Sequence, residues 1–467
     1  MLKLVDDGIL GILFLSDSPN GLFNQQSLKK KVCMKTNVLI VGSGCSGLYT
    51  ALNLPKELHI TIISKDTLEH SDSFLAQGGI CMLKDESDYD SFFEDTLRAG
   101  HYKNNKISVD LMIKSSPDVI KDLIGYGVDF QRDENGNLAF TREGAHSDKR
   151  ILFYQDTTGK EITSRLLAAV KKLPNVTLME HTCLLDIMEE DNRCYGGVAR
   201  LENGDLEKIT ADVTVLASGG VGGLYKNSTN FKHLTGDALA ISLKHDIELK
   251  DMSYVQIHPT TLYKENPKER SFLISESVRG EGALLYDKNM NRFVDELQPR
   301  DVVAQAILKQ MEKDGTDHVW EDLRTIPKKE LEEHFPNILA HCREAGYDPF
   351  TECIPVVPAQ HYFMGGIKVN YHSKTSMDFL YAVGETACNG VHGQNRLASN
   401  SLLESLVFAK RAAKDLVAKY ESVVELPTTL AELDLLDCQD NDILADDYKK
   451  LVVEKLTEEK QLETVIG

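Results

Sequence analysis

The sequence predicts an α/β protein, and three observations lead to that fold class. An apolar strand, a glycine-rich turn and a helix follow one another in "NVLIVGSGCSGLYTALNLP", residues 37–55. Two further strand-like segments, 211–225 and 379–393, also close on glycines although they lie far along the chain. The 467 residues are 42% hydrophobic and 27% charged, which is typical of a soluble globular protein of two or three domains.

The first glycine turn has the spacing of a dinucleotide-binding site. Gly42, Gly44 and Gly47 stand in the pattern G-x-G-x-x-G between the predicted strand and helix. The first glycine permits the tight turn, the second lets the backbone approach a pyrophosphate, and the third lets helix and strand pack closely. A glycine-rich turn without a ligand is the alternative, but the strand before it and the helix after it favour a Rossmann-like binding unit.

The overall charge and the cysteines restrict the class of partner. A formal charge of −20 argues against nucleic acid, because a phosphate backbone needs a basic surface. It does not exclude a small anionic substrate, for which a few local arginines suffice. Nine scattered cysteines form no C-x-x-C pair and no metal-ligand spacing, which indicates reduced thiols, a cytoplasmic location and no metal site.

Residues 1–33 are predicted to be an N-terminal extension outside the fold. "GILGILFL", residues 8–15, is apolar, but a membrane span needs about 20 such residues. Acidic residues precede it and no positively charged region does, so we expect neither a signal peptide nor a membrane anchor. Met34 stands directly before the first strand, so a mis-assigned start is an alternative explanation of this segment.

The later strands favour a flavin over a nicotinamide cofactor. The second strand, "HITIISK" at 59–65, ends in Ser64 and Lys65 where a simple NAD site has an acid. Lys65 either neutralises a phosphate or is a solvated strand end. Chains that bind FAD across an interrupted domain return to the cofactor late, and Glu385 fits the role of an acid near the ribose. An ordinary βα unit is the alternative for 379–393.

A helix is predicted after that strand, in "NRLASNSLLESLVFAKRAAKDL". Ser401 and Glu404 have the spacing of a capping box just before an apolar run. Its N-terminus would direct backbone N–H groups at the electron-rich edge of a reduced flavin. A well-capped helix without a ligand is the alternative.

Four polar segments together suit a small dicarboxylate substrate. They present His258 in "SYVQIHPTTLY", Ser275, Glu276 and Arg279 in "FLISESVRGEGALLYD", Arg300 before a helix predicted to open at Asp301, and His361 in "VPAQHYFMGGIKVN". Arginines bind carboxylates bidentately, and neutral histidines and a hydroxyl complete the hydrogen bonds. Taken singly, each histidine is as well explained by a buried structural role, and Arg300 by a surface position.

At this point the sequence resembles the flavoprotein family of L-aspartate oxidases, succinate dehydrogenases and fumarate reductases. The similar stretches run in order from residue 37 to about 415: "VLIVGSGCSGLYTAL", "FLAQGGI", "EDTLRAG", "LTGDALA", "IHPT", "SESVRGEGA", "PRDVVA", "HYFMGGI" and "NRLASNSLLE". The resemblance implies a Rossmann-like FAD-binding domain at 34–251 and 363–424, an inserted α+β capping domain at 252–362, and a shortened C-terminal helical segment at 425–467.

The resemblance also implies site residues. Those expected to bind FAD are Gly42, Ser43, Gly44, Cys45, Ser46, Gly47, Lys65, Ser73, Phe74, Ala76, Gln77, Gly78, Gly79, Ile80, Asp237, Glu385, Ser401 and Leu402. Arg300 is expected to transfer a proton near the reacting carbons. The residues expected to hold the substrate carboxylates or their neighbours are His258, Ser275, Glu276, His361 and Arg396.

Two positions separate the branches of the family. Family members with covalent FAD attach it through a histidine five residues before the glutamine of "AQGG"; here that position is Asp72, so non-covalent FAD is expected. In "TREGAHSDKR", residues 141–150, Glu143 is expected to bind the ammonium that aspartate has and succinate lacks. A solvated loop is the alternative. Both positions favour the L-aspartate oxidase branch.

Three departures from the family pattern accompany this prediction. Ala145 stands where the family usually has a second glycine, and Ser275 replaces a more usual threonine. Residues 420–467 predict only one or two helices, where the family has a three-helix domain.

The resemblance implies FAD-dependent oxidation of L-aspartate to iminoaspartate, with a hydride passing from the substrate Cα to the flavin. Reoxidation by O2, giving H2O2, or by fumarate would follow, within NAD biosynthesis and with a functional link to quinolinate synthase. A soluble fumarate reductase-like flavoprotein and an inactive family member are the alternatives.

Overall fold

The apolar segment before the glycine turn forms an inner strand of the main sheet, β1, Met34–Val41. The computed structural model describes residues 34–265, 269–423, 425–435 and 441–458. The predicted extension, residues 1–33, and its apolar run lie outside the described residues. Val38, Leu39 and Ile40 are fully buried, because packing covers both faces of β1, as is usual for a parallel strand.

Sixteen strands are present in the described part of the chain. In chain order they are β1 Met34–Val41, β2 Ile60–Ile63, β3 Ile80–Cys81, β4 Ile151–Leu152, β5 Val176–Met179, β6 Cys183–Glu190, β7 Arg193–Arg200, β8 Leu206–Leu216, β9 Leu249–Lys250, β10 Val255–Leu262, β11 Leu284–Tyr286, β12 Val319–Asp322, β13 Ile354–Phe363, β14 Gly366–Lys368, β15 Leu380–Ala382 and β16 Ala387–Cys388.

The same residues form thirteen α-helices. They are α1 Cys45–Leu52, α2 Asp72–Leu75, α3 Tyr89–Ala99, α4 Lys106–Gly125, α5 Thr158–Val170, α6 Asp237–Lys244, α7 Glu276–Gly280, α8 Arg300–Asp314, α9 Lys328–His334, α10 Pro336–Glu344, α11 Asn400–Ala418, α12 Thr428–Ala431 and α13 Asn441–Glu458. None of the helices in the described chain is both long and apolar enough to cross a membrane.

The main sheet has seven strands in the order β5-β2-β1-β8-β7-β6, with β15 also paired to β8. β1 pairs in parallel with β2 and β8, with Val38 beside Ile60 on one side and Val213 on the other. β8 pairs antiparallel with β7 through its first half and parallel with β15 through its second half. The predicted late return of the chain to the first sheet is therefore confirmed.

A second sheet carries the polar segments that suggested a dicarboxylate site. It has the order β10-β13-β12-β11 and is antiparallel throughout. Its own hydrophobic core includes residues of α8, α9 and α10, such as Ile307, Leu331 and Ile338. This α+β unit matches the expected fold class, whereas the domain boundaries at 252, 362 and 424 stay predictions.

Helices cover both faces of the main sheet. One buried cluster contains residues of α1, α4, α5 and α11, and the other contains residues of α6 and α13. Tyr448, Val452 and Leu456 of α13 are buried in the second cluster. The prediction of one or two helices after residue 420 is therefore confirmed, and the longer of them packs on the main sheet.

Two helix starts differ from the sequence prediction. α8 begins at Arg300 with Pro299 as its N-cap, one residue before the expected Asp301. α11 begins at Asn400, and its N-cap is Ser399 in a left-handed conformation, with φ of 61°. The predicted capping box of Ser401 and Glu404 is wrong. The Ser401 hydroxyl accepts from Arg396, and the Glu404 carboxylate accepts from Asn389, so neither side chain caps the helix.

Candidate active site

A single cleft collects most of the predicted site residues. It runs from the glycine turn after β1 to the second sheet and the start of α11. The predicted residues that line it are Gly42, Ser43, Gly44, Ser46, Lys65, Ser73, Ala76, Gln77, Gly78, Gly79, Glu143, Asp237, His258, Ser275, Glu276, Arg300, His361, Glu385, Arg396, Ser401 and Leu402. Four other predicted residues, Cys45, Gly47, Phe74 and Ile80, are not among the residues that line it.

The glycine turn has the geometry that its spacing predicts. Gly42 has φ of 118°, and a Cβ there would lie 2.1 Å from the carbonyl oxygen of Ala217. A Cβ on Gly47 would lie 2.2 Å from the carbonyl oxygen of Gly42, so the third glycine allows α1 to pack against the turn. Gly44 is the N-cap of α1 and has no side-chain cap. The helix therefore opens towards the cleft with its positive end.

Lys65, two residues after β2, is exposed but is not an isolated cation. Its Nζ lies 2.6 Å from Asp237 Oδ2 and 3.0 Å from Thr235 Oγ1. Asp237 is the first residue of α6, and Thr235 also donates to it. An acid from another part of the chain, Asp237, thus lies beside the segment that follows β2, as half of an ion pair with Lys65.

Two buried arginines, Arg300 and Arg396, lie at the far end of the cleft, and both donate to the side chain of Gln256. The Gln256 side-chain oxygen accepts from Arg300 Nη1 at 2.9 Å and from Arg396 Nε at 3.3 Å. Its amide donates to Asn395 Oδ1 and to the Arg396 carbonyl. Burial, together with the nearby Arg300, lowers the pKa of Arg396 to about 10. Two guanidinium groups at one end of a cleft form a binding site for carboxylates.

Glu276 also lines the cleft, but its carboxylate is already paired. It accepts from Arg300 Nε, and Arg279 Nη2 lies 3.9 Å away. Burial raises the pKa of Glu276, but the positive charges of Arg300 and Arg279 lower this pKa by more than burial raises it. The carboxylate therefore stays ionised. An anion in this position orients Arg300. It is not suited to hold a substrate carboxylate itself.

Two histidines and a serine hydroxyl face the arginines across the cleft. The rings of His258 and His361 meet edge to face with centroids 5.0 Å apart. Burial and the nearby Arg300 hold the pKa of His258 well below its usual range, and burial and Arg396 do the same for His361. Both imidazoles are therefore neutral hydrogen-bonding groups at neutral pH. Ser275, the N-cap of α7, lines the same cleft, and its hydroxyl accepts from the N–H of Ser277.

Glu143 is a buried cleft residue and does not face water, with only 3% of its surface exposed. Ser277 Oγ donates to Oε1 at 2.7 Å, and Ser399 Oγ donates to Oε2 at 2.5 Å. Burial and the neighbouring Glu276 raise its pKa, and Arg300 opposes this shift. Each carboxylate oxygen keeps further acceptor capacity, so the group can bind a cation within the cleft.

The loop that carries Glu143 is closed at its base by Thr141 and Ile151, which exchange two backbone hydrogen bonds of 2.9 and 3.2 Å. Ala145 has φ of 64°, in the left-handed region that glycine occupies without strain. Its backbone N–H donates to Leu297 and its carbonyl accepts from Arg98. The left-handed backbone gives a physical reason for the usual glycine at this position.

The cleft fits a large polar ligand, because polar atoms of its walls lack partners. Within the described chain, Asp72 Oδ2, Gln77 Oε1 and His258 Nε2 are buried without a hydrogen bond. Burial raises the pKa of Asp72 to about 7, and burial and Asp72 raise that of Glu385 to about 8. Buried polar atoms are normally paired, so these point to a bound group that completes them. No cluster of metal-ligand residues was found among the described residues.

The match to known proteins covers most of the chain. Residues 37–402 match a family described as FAD binding domain. An L-aspartate oxidase from Clostridium perfringens is 49% identical over 401 residues, which cover 86% of this chain and 91% of that protein. The chain belongs to the L-aspartate oxidase family. A second member, from Clostridium acetobutylicum, is 48% identical over 82% of this chain and 88% of its own length.

Solved structures of a fumarate reductase and an Sdh1 protein are similar to this member of the L-aspartate oxidase family. A variant of E. coli quinol fumarate reductase superposes with a TM-score of 0.77 and 30% identity, covering 91% of this chain and 74% of that one. A Mycobacterium smegmatis Sdh1 structure gives a TM-score of 0.71 and 27% identity over 85% of this chain and 71% of that one. The resemblance drawn from the motifs and the predicted α/β fold are both confirmed.

Several residues of the site were not predicted from the sequence pattern. Gln256, Ser277 and Ser399 hold the arginines and Glu143, and Arg270 lines the cleft near Asp72. Ser277 stands inside the quoted stretch "SESVRGEGA", directly after Glu276, and Gln256 stands in "SYVQIHPTTLY", two residues before His258. These two residues lie more than 100 positions from Glu143 in the sequence, so their place in the same site is visible only in the folded chain.

Proposed function

We propose that this chain is an FAD-dependent L-aspartate oxidase that converts L-aspartate to iminoaspartate. The single observation that carries the proposal is Glu143, a buried carboxylate in the cleft that contains Arg300 and Arg396. A fumarate- or succinate-specific site needs cations for two carboxylates, and neither substrate has a cation that a carboxylate such as Glu143 would bind. Aspartate adds an ammonium group, which a carboxylate at this position neutralises.

The residues around the glycine turn would bind FAD. The turn and the N-terminus of α1 would hold the pyrophosphate, with Lys65 and Asp237 at the end of β2. Gln77, Gly78 and Gly79 and the start of α11 would line the flavin. When bound, FAD supplies the two-electron acceptor for oxidation of the substrate Cα–N bond.

The far end of the cleft would bind the dicarboxylate. Arg300 and Arg396 would bind substrate carboxylates, and His258, His361 and Ser275 would complete their hydrogen bonds. Because both imidazoles are neutral, they add donors without attracting a further anion. Gln256 keeps the two guanidinium groups at fixed positions, which reduces the entropy lost when substrate binds.

Two groups would manage the protons of the reaction. Glu143 would accept hydrogen bonds from the substrate ammonium, and its raised pKa brings its proton affinity closer to that of an amine in the closed site. Arg300 would hold or transfer a proton beside the reacting carbons, with Glu276 bonded to its Nε.

FAD is proposed to be non-covalent. Asp72 occupies the position where family members with covalent FAD have the linking histidine, and a carboxylate does not form that bond. Its raised pKa makes it a neutral or shared-proton acid next to the cofactor groove. Acid precipitation should release all FAD into the supernatant, and yellow colour retained in the pellet would contradict this assignment.

The wider context belongs to the same proposal. O2, giving H2O2, or fumarate would reoxidise the flavin, and iminoaspartate would pass to quinolinate synthase in NAD biosynthesis. The described cysteines 45, 81, 183, 194, 342, 353 and 388 are free thiols, which favours the reducing cytoplasm.

The decisive experiment compares substrates on the purified FAD-loaded protein. Peroxide release under air is measured with L-aspartate and with succinate as the electron donor. Fumarate consumption without oxygen is measured with L-aspartate alone, because oxidation of succinate would regenerate the fumarate. We expect both signals with L-aspartate and no peroxide with succinate. Activity with succinate but not with L-aspartate would refute the proposal and favour a fumarate reductase-like flavoprotein. Absence of turnover with every donor would indicate an inactive family member.

A further inference from the structure

A buried ionic cluster lies behind the Glu143 loop. Arg150 is fully buried and donates to Asp88 Oδ1 from Nη2 at 2.9 Å and to Asp95 Oδ2 from Nη1 at 2.7 Å. Ser91 and His146 accept further bonds from the same guanidinium. Asp88 is the residue directly before α3, and Asp95 lies in the middle of this helix. The cluster therefore attaches the end of the loop to α3.

The hydrogen bonds of His146 determine its tautomer. Arg150 Nη1 lies 3.1 Å from His146 Nδ1, and because a guanidinium can only donate, Nδ1 is the acceptor. The proton is therefore on Nε2, which donates to the carbonyl oxygen of Ala398 at 3.0 Å. Burial and the charge of Arg150 lower the pKa of His146 to about 4, so the ring stays in this neutral form at neutral pH.

Ser399, which follows Ala398 in the chain, contacts Glu143 directly. Its hydroxyl donates to Glu143 Oε2 and accepts from the N–H of Gly79 at 3.1 Å. His146 thus ties the Glu143 loop to the same short segment, 398–399, that supplies one of the two donors to the Glu143 carboxylate. The chain of contacts is continuous from the Arg150 cluster to the cleft, although Arg150 and His146 do not line it.

We propose that His146 and Arg150 are positioning residues that set the direction of the Glu143 carboxylate and thereby select substrates that carry an ammonium group. The inference rests on the proposed function of Glu143. The other attachments of the loop, from Ala145 to Leu297 and Arg98 and from Ser147 to Asp95, go to parts of the chain other than segment 398–399. The turn bond from His146 N–H to the Glu143 carbonyl is 3.3 Å long, and Ala145 is in a strained conformation. A displacement of about 1 Å at such a group is enough to weaken recognition strongly.

The test compares His146→Phe and His146→Gln in the FAD-loaded enzyme. Phenylalanine fills the volume but loses both hydrogen bonds, whereas the glutamine amide can still donate to the Ala398 carbonyl. We expect His146→Phe to raise KM for L-aspartate about tenfold, as for loss of one hydrogen bond to a charged group, with KM for fumarate changed less than about twofold. His146→Gln should restore most of the aspartate KM. Replacement of the exposed His59 by phenylalanine is the matched control.

A double-mutant cycle shows whether the effect passes through Glu143. In a Glu143→Gln background, His146→Phe should raise KM for L-aspartate no further, because the group that it positions is already gone. Equal increases of KM for both substrates, or additive effects in the cycle, would overturn the inference and leave His146 a structural residue. If His146→Phe does not fold, His146→Gln and Arg150→Lys undergo the same comparison and the same cycle. A wild-type protein without aspartate activity would refute the proposed function instead.

Discussion

Glu143→Gln removes the negative charge of the 141–150 loop and keeps the size of the side chain. The Ser277 and Ser399 hydroxyls can rotate to accept as well as donate, so the amide remains packed and bonded. A neutral amide also relieves the cost of burying a charge at a site where burial raises the pKa. The variant should therefore fold, and at pH 8 it should melt at the same temperature as wild type or higher.

The magnitude follows from the single contact that is lost. Two unit charges about 4 Å apart at an effective dielectric constant near 20 attract by about 4 kcal/mol, which sets the upper limit. Desolvation of the ammonium offsets part of this, so a charged hydrogen bond of about 1.5 to 3 kcal/mol is the better guide. Since each 1.4 kcal/mol is a factor of ten, kcat/KM for L-aspartate should fall by about 10- to 100-fold.

The assay measures kcat/KM for L-aspartate oxidation under air. With the same preparation it measures kcat/KM for fumarate reduction without oxygen, with a reduced viologen dye as the electron donor. Fumarate has no ammonium, so its value should change less than about threefold. The exposed Glu134, replaced by glutamine, is the matched control. A loss of similar size on both substrates would refute the role of Glu143 in recognising the ammonium.

The pH dependence supplies an independent readout. Glu143 binds a cation only when ionised, and its pKa is raised from the ordinary value of 4.5. In wild type, kcat/KM for L-aspartate should therefore fall as pH decreases through this raised pKa. The acidic limb should be missing in Glu143→Gln. An unchanged acidic limb would assign it to another group.

Three further predictions concern stability and cofactor binding. Ala145→Gly should raise the free energy of unfolding in urea by up to about 1 kcal/mol, because it removes left-handed strain; a less stable variant would contradict this. Gly42→Ala places a Cβ 2.1 Å from the Ala217 carbonyl oxygen, so FAD affinity in a fluorescence titration should fall by at least about tenfold, whereas unchanged affinity would exclude the turn as its site. Asp72→Asn should melt higher than wild type in the FAD-free protein above pH 7, since ionising an acid whose folded pKa is raised to about 7 destabilises the fold. The difference should vanish near pH 4, and a constant difference would contradict the raised pKa.

Local sequence patterns predicted the elements whose geometry depends on residues that are close together in the sequence. The strand, glycine turn and first helix follow from 19 quoted residues, since backbone conformation and the apolar run decide them together. The capping box at Ser401 failed because both of its side chains have partners elsewhere, Arg396 and Asn389. Competition of this kind is invisible in a pattern of four residues.

Contacts between distant segments account for the rest. The bond from Ser399 to Glu143 joins residues 256 positions apart, and that from Gln256 to Arg396 joins residues 140 apart. Residue types alone did not single out Gln256, Ser277 or Ser399, because glutamine and serine are common on surfaces. In the sequence Arg150 is one of several charged residues in the stretch 141–150, and only its complete burial between two carboxylates gives it a role.

The pairing of β8 has a consequence for the order in which the chain is assembled. Six of the seven strands of the main sheet precede residue 217, and β15, the last, docks beside the second half of β8 only after residues 217–379 have been made. A ribosome adds about 5 to 20 residues per second, so a partial sheet waits with an open edge for several seconds. The wall formed by residues 385–405 arrives later still. Loading of the cofactor is therefore expected only after residue 405 has been made, and an unpaired β8 edge during synthesis is the stage most exposed to mispairing.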